Sequence, residues 1–162
     1  MTEVRAFPSI PKKILLPIDF SPSSKAALVM ATDLALHYHA ELFLVNIVPM
    51  LVMTTVDYSV PDTSFPEKMK AHAEQQLAKI HAFLSAQGVR ARSSVEIGND
   101  IAGNIMEVVD REHTDLIVIS THGISGWHPL IFGSIAEKVV KLAQCPLLLL
   151  RSAKPDTGSK TS

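Results

Sequence analysis

The sequence predicts a single α/β domain, a five-stranded parallel sheet in the order 3-2-1-4-5 with helices on both faces. Three observations lead there. Strand-length apolar runs alternate with stretches of helical periodicity from Lys13 to Leu150. Several of those runs (KILLPI, LIVI, LLLL) are apolar at consecutive positions, as in strands covered on both faces. The connection after the fourth run holds three of the chain's seven glycines, Gly123, Gly126 and Gly133. A loop of that kind belongs at the ligand-binding end of such a sheet.

The elements follow in order. Residues 1–11 carry two prolines and little pattern, and read as a flexible lead-in to a domain over 12–151. Lys13 to Ile18 is the first strand, closed by Asp19. Ser21 caps the next helix and Pro22 occupies its first turn, where a missing N–H costs nothing. Ala27, Met30, Ala31, Leu34 and Ala35 give that helix one apolar face. Glu41 to Val48 is the second strand, and its helix-then-strand context predicts a right-handed parallel crossover. Residues 49–65 form the longest irregular stretch. It is apolar for a loop, with Met50, Leu51, Val52 and Met53 together, and is expected to lid a site or meet another subunit.

Ser64 and Glu67 are spaced as a capping box. Met69, Ala73, Leu77, Ile80 and Leu84 mark a long helix that Gly88 ends. Val89 to Ile97 alternates as a third strand with one wetter face. Gly98-Asn99-Asp100 turns into a helix with Ile101, Ile105, Val108 and Val109 on its apolar side. Leu116 to Ile119 is the fourth strand, with Ser120 at its end. The glycine-marked loop then leads to a helix opened by Gly133-Ser134. Pro146 to Leu150 is the fifth strand, and 152–162 is expected to be a disordered tail.

The totals narrow the function. The chain has 162 residues, is 47% hydrophobic and carries a formal net charge of −1. No basic block points to nucleic acid. The apolar runs fall far short of a membrane span, and the N-terminus lacks a secretory signal pattern. Cytoplasm is the expected location. The single cysteine, Cys145, excludes an internal disulfide and a cysteine-based metal framework. The seven histidines share no metal-site spacing, and HExxH is absent. A Walker loop is also absent, as is Gly-x-Gly-x-x-Gly after the first strand. A phospho-accepting receiver domain needs an aspartate ending the third strand, where this chain has Ile97-Gly98.

From spacing alone, the loop before Gly133 fits both a phosphate cradle and an ordinary long connection. Topology favours the cradle. A sheet of this order binds ligands beyond the carboxyl ends of strands one and four, where the strand order reverses. Asp19 ends one of these strands and Ser120 the other. Asp19 and the Gly133–Ser134 helix start are therefore expected to face one crevice.

The residues from Lys12 to Arg151 resemble the universal stress protein family, in its ATP-binding branch. The resemblance rests on KKILLPIDFS, on the GND turn, and on the loop with its closing LAQCPLLLLR. The family loop has two glycines separated by two residues, then nine residues, then Gly-Ser or Gly-Thr. Here Gly123, nine residues and Gly133-Ser134 fit, while Ser120 stands at the first glycine. The resemblance implies an adenine-nucleotide alpha-hydrolase-like fold and binding of ATP, or of ADP or AMP. By position Pro17, Ile18 and Asp19 would border adenine and ribose, and the Ile47 backbone would meet adenine. Ile119 and Ser120 would line the ribose and first phosphate, and Gly123 would sit where the phosphates pass; the loop itself places His122 by the crevice. Gly133, Ser134 and Ile135 would offer N–H groups and a hydroxyl to phosphate oxygens.

No Lys or Arg occurs from Leu116 through Glu137. Phosphate charge would then fall to amides, Ser134, His122 or His128, and a magnesium or manganese ion. No protein metal ligands and no catalytic residues are assigned. A nucleotide-dependent signalling module fits better than its rival, a slow ATPase. The resemblance also implies a homodimer across strand 146–150. Its four leucines at a sheet edge agree, since an uncovered apolar edge invites aggregation.

Overall fold

The computed structural model describes residues 10–50, 64–121 and 133–151. The elements in chain order are β1 (Lys13–Pro17), α1 (Pro22–Tyr38), β2 (Glu41–Val48), α2 (Phe65–Ala86), β3 (Ala91–Ile97), α3 (Ile101–Glu112), β4 (Leu116–Ser120), α4 (Ser134–Leu142) and β5 (Leu147–Leu150). All strand pairs are parallel and the order is β3-β2-β1-β4-β5, as expected from the sequence. The leader, the 51–63 insert, the 122–132 loop with His122, Gly123, Gly126 and His128, and the tail after Arg151 lie outside the described residues.

Strand alternation divides the apolar side chains between two cores. Ile14, Leu16, Leu42 and Leu44 pack with α1 and α2 on one face. Leu15, Phe43, Val45, Ile117 and Ile119 pack with α3 and α4 on the other. β1 and β2 are thus buried from both sides, which is why they read as continuous apolar runs. β3, a sheet edge, has no fully buried residue, in line with its polar composition.

Ser21 caps α1 by accepting the Ser24 N–H at 3.2 Å, with Pro22 in the first turn. Asp100 caps α3 in the same way through the Gly103 N–H, at 3.1 Å. The proposed box at α2 does not form. Ser64 has helical backbone angles, φ −83° and ψ −11°, and its side chain makes no capping bond. A capping residue needs extended backbone to turn its oxygen onto the first-turn N–H groups.

Two expected core residues point outward. Met30 is 40% exposed, and Leu28 is buried in the α1 face that the sequence assigned to it. Met69 is 41% exposed in the first turn of α2. A helix of 22 residues runs about 33 Å. The seven residues of β3 cover about 23 Å. The helix therefore overhangs the sheet, and Met69 sits in the overhang.

Three helices end alike. At α2 the Val89 N–H reaches Leu84 O and the Gly88 N–H reaches Ser85 O, with Gly88 at φ 78°. This reverse turn delays β3 to Ala91, two residues later than the periodicity suggests. At α1 and α3 the same left-handed position is held by His39 (φ 53°) and His113 (φ 54°). Glycine would adopt that backbone without a Cβ penalty.

The amino-terminal end of the sheet is tied by charge. Glu112, at the end of α3, lies 3.6 Å from Lys13 Nζ, 3.1 Å from Arg92 Nη1 and 3.6 Å from Arg111 Nε. Arg92 also faces Glu41 at 3.6 Å. Farther along β3, Glu96 accepts a 2.7 Å bond from Arg111 Nη2. That bond, chiefly, holds the Glu96 carboxyl below the ordinary glutamate range, against a smaller opposing effect of burial.

Three substitutions test these contacts. His113 is exposed, so His113→Gly should raise unfolding stability by about 0.5–1 kcal/mol, and Ser21→Ala should lower it by about 1 kcal/mol. Urea denaturation measures both. Because the native pKa of Glu96 is depressed, its stabilisation is present above the unfolded value and is lost as pH falls from about 4.5 through the native value. Glu96→Gln should therefore flatten the acid side of the stability profile in that window, followed by thermal unfolding against pH.

Candidate functional site

The site begins where β1 and β4 part. The ladder between them pairs Ile14 with Leu116 and Leu15 with Ile117, then stops, although β1 runs to Pro17 and β4 to Ser120. The Asp115 N–H donates to Lys13 O at 3.0 Å, so odd-numbered residues of β1 address β4. The next rung would require an N–H at residue 17, and Pro17 has none. On its other side β1 stays paired with β2 as far as Pro17↔Val45. The sheet opens on one side of β1 only, at the reversal of strand order.

A cavity of about 290 Å³ fills this opening. Nine candidate residues line it: Pro17, Ile18, Asp19, Ile47, Ile119, Ser120, Gly133, Ser134 and Ile135. The other two candidates, His122 and Gly123, lie outside the described residues. Ser24, Val45, Asn46, Pro49, Ile101, Ile105, Thr121 and Ala136 also line it and were not singled out from the sequence as site residues. Ile101 and Ile105 read as core positions of α3, and they form an apolar wall here. Asn46 had a visible signal, a lone amide within the apolar run ELFLVNIV. It is only 8% exposed.

The rim after β1 is a tight turn. The Ile18 N–H donates to Val45 O at 2.9 Å, and Ile18 O accepts from Asn46 Nδ2 at 2.8 Å. Asp19 Oδ1 accepts the Ser21 N–H at 3.0 Å, which places the carboxylate beside the start of α1. Between them Phe20 has φ 63°, a left-handed backbone that a bulky side chain rarely adopts. Its ring packs against the α1–α2 core.

The opposite rim is the start of α4. The Gly133 N–H donates to Thr121 O at 2.7 Å, pinning the helix entry to the end of β4. Glu137 N–H to Gly133 O, 3.0 Å, is the first bond of the helix. The N–H groups of Ser134, Ile135 and Ala136 precede it and are not used within the helix. All three residues border the cavity. Ala136 and Val139 anchor α4 in the core, and Lys138 Nζ bonds Asp100 Oδ1 at 2.9 Å across to α3. Lys138 is the main reason the exposed Asp100 carboxyl lies below the ordinary range.

Electrostatically the cavity is sparse. Among the described residues that line it, Asp19 is the one charged side chain. Among the described residues there is no cluster of three His, Cys, Asp or Glu able to hold a metal ion, and no helix long and apolar enough to cross a membrane. The arrangement offers apolar walls, one carboxylate, and amides with hydroxyls at a helix start. It suits a ligand with a flat apolar part, hydroxyl groups and an anionic end.

Fold and site together define a parallel α/β domain with a crevice at its topological switch point. The chain belongs to the Universal stress protein family, whose profile it matches over residues 11–151. It is similar to the universal stress protein MJ0531 of Methanocaldococcus jannaschii, 28% identical over 145 residues, covering 90% of this chain and 85% of that one. Among solved structures, it resembles the universal stress protein UspA from Lactobacillus plantarum with a TM-score of 0.74 at 22% identity, covering 86% of this chain and 97% of that one. It also resembles the universal stress protein from Archaeoglobus fulgidus in complex with dAMP, with a TM-score of 0.61 at 18% identity, covering 86% and 98%.

Proposed function

We propose that the β1/β4 crevice binds an adenine nucleotide and that occupancy makes the protein a nucleotide-dependent signalling module in the stress response. The observation that carries this reading is the convergence of the Asp19 turn and the open start of α4 on one cavity. The apolar wall of Ile101, Ile105 and Ile119 suits a base, and Asp19 suits ribose hydroxyls. The amides of Ser134 and Ile135 suit phosphate, favoured by the positive end of the α4 dipole. A solved family member carries dAMP, a ligand of the same chemistry.

Among the described lining residues there is no lysine or arginine, and the 122–132 loop contains none. A triphosphate would therefore bring its own countercharge. Magnesium or manganese would be held by the phosphates. Adenosine and AMP need that ion less than ATP does. The protein would work in the cytoplasm and without selected hydrolysis, since Asp19 serves the nucleoside end and no arginine faces the phosphates.

Heating the purified protein and identifying the released compound by mass should yield an adenine nucleotide. In titration calorimetry Asp19→Ala should weaken AMP at least about tenfold, the value of one lost charge-assisted bond. Chelator should weaken ATP more than AMP. A released ligand without adenine, or equal ATP affinity with and without chelator, would count against the reading.

The same reading includes a homodimer through β5. That strand is a sheet edge of four half-buried leucines, and Val140 and Leu142 of α4 are 49% and 43% exposed. Leu148→Lys should convert a dimeric mass to a monomeric one in light scattering; an unchanged mass would sink the dimer.

A further inference from the structure

We propose that Asn46 is a positioning residue. Its amide takes over a backbone rung between β1 and β2 and so leaves the Ile47 N–H turned to the cavity, where the adenine contact already implied for the Ile47 backbone becomes donation to a ring nitrogen. The proposal rests on the nucleotide reading above and names how one part of that site is made.

The register sets out the rung. Even-numbered residues of β1 address β2, as the Glu41 N–H to Lys12 O (2.8 Å) and Ile18 N–H to Val45 O (2.9 Å) bonds show. In a parallel ladder, a residue bonded in this way also accepts from the residue two positions after its own acceptor. Ile18 O should therefore accept from the Ile47 N–H. It accepts instead from Asn46 Nδ2 at 2.8 Å, and among the described residues the Ile47 N–H makes no bond to Ile18. Ile47 still pairs with Glu96 of β3, so it stays held in the strand while the N–H on its β1 side is released.

Three features make this a built arrangement. Asn46 is 92% buried, being 8% exposed, a costly place for an amide unless it has a bond to make. Both Asn46 and Ile47 border the cavity. The substitution also keeps Ile18 fully bonded, so the Asp19 turn stays fixed while a donor is freed beside it. A leucine at position 46 would fit the apolar run better and would return the rung to Ile47.

Amide hydrogen exchange followed by NMR tests this, with binding measured on the same samples. In the free wild-type protein the Ile47 amide should exchange well ahead of the Val45 amide, and saturating AMP should slow it. In Asn46→Leu, the Ile47 amide should already be protected without ligand, and AMP affinity should fall about tenfold, the worth of one hydrogen bond. Among 1-deaza, 3-deaza and 7-deaza adenosines, the one lacking the accepting nitrogen should bind wild type about tenfold more weakly and lose little further in Asn46→Leu.

An Ile47 amide as protected as Val45 in the free wild type would overturn the proposal, and this needs no variant to fold. Nucleotide binding that leaves Ile47 unprotected would overturn it alone. A wild type that binds no adenine nucleotide would overturn the nucleotide reading and, with it, the ligand half of this inference.

Discussion

Strand β1 lies at the middle of the sheet and must satisfy two neighbours that diverge. Its bonds to β4 end at Leu15↔Ile117, while those to β2 continue to the end of the strand. This asymmetry is local in origin, because a proline at position 17 supplies no N–H toward β4. Everything at the carboxyl end depends on it. The Asp19 turn can lean away from β4, and the 290 Å³ space can open between core layers that are otherwise close-packed. α4 can also set beside the gap the first-turn amides that its own helix does not use. Filled by a rung, the same two strands would present a continuous apolar sheet end with no room for a ligand.

The sequence made the architecture legible because the fold is written in long, redundant signals. Each strand is a run of apolar residues, and each helix repeats its apolar face several times. The site was legible where the same logic reached it. Pro17, Asp19, Ser120 and Gly133 fall at strand ends and a helix start, and the topology alone brings those ends together. Misreadings came from places where one residue decides the outcome. Ser64 has the right neighbours for a cap and the wrong backbone angles. Met30 and Met69 keep helical spacing, yet spacing does not say that Leu28 takes the buried face of α1 or where α2 outruns the sheet. Ile101 carries the signal of a helix core position and Asn46 only that of its strand, because their part in the cavity depends on distances that periodicity does not carry.

On the proposed reading, the site would receive an anion without local cations among its described lining residues. In a cleft of low polarity a lysine would be costly to keep charged and unpaired, whereas helix-start amides carry only partial charges and are already oriented. Lys138, the nearest cation on α4, is turned to Asp100, where it fixes the helix instead of facing the cavity. Phe20 contributes similarly through its backbone. A left-handed residue between Asp19 and Ser21 lets one turn both aim a carboxylate and cap α1.

The ion network around Glu112 lies at the end of the sheet remote from the cavity, joining the starts of β1, β2 and β3 to the end of α3. The ion network and the cavity therefore lie at opposite poles. Each pair there is partly exposed and individually modest, but several share Glu112, so loss of one leaves the others to hold the strands in register. The upper pole is consequently free to vary. Residues lining the crevice can be exchanged while the tethered floor preserves the sheet, a separation that lets one scaffold be retuned without being rebuilt.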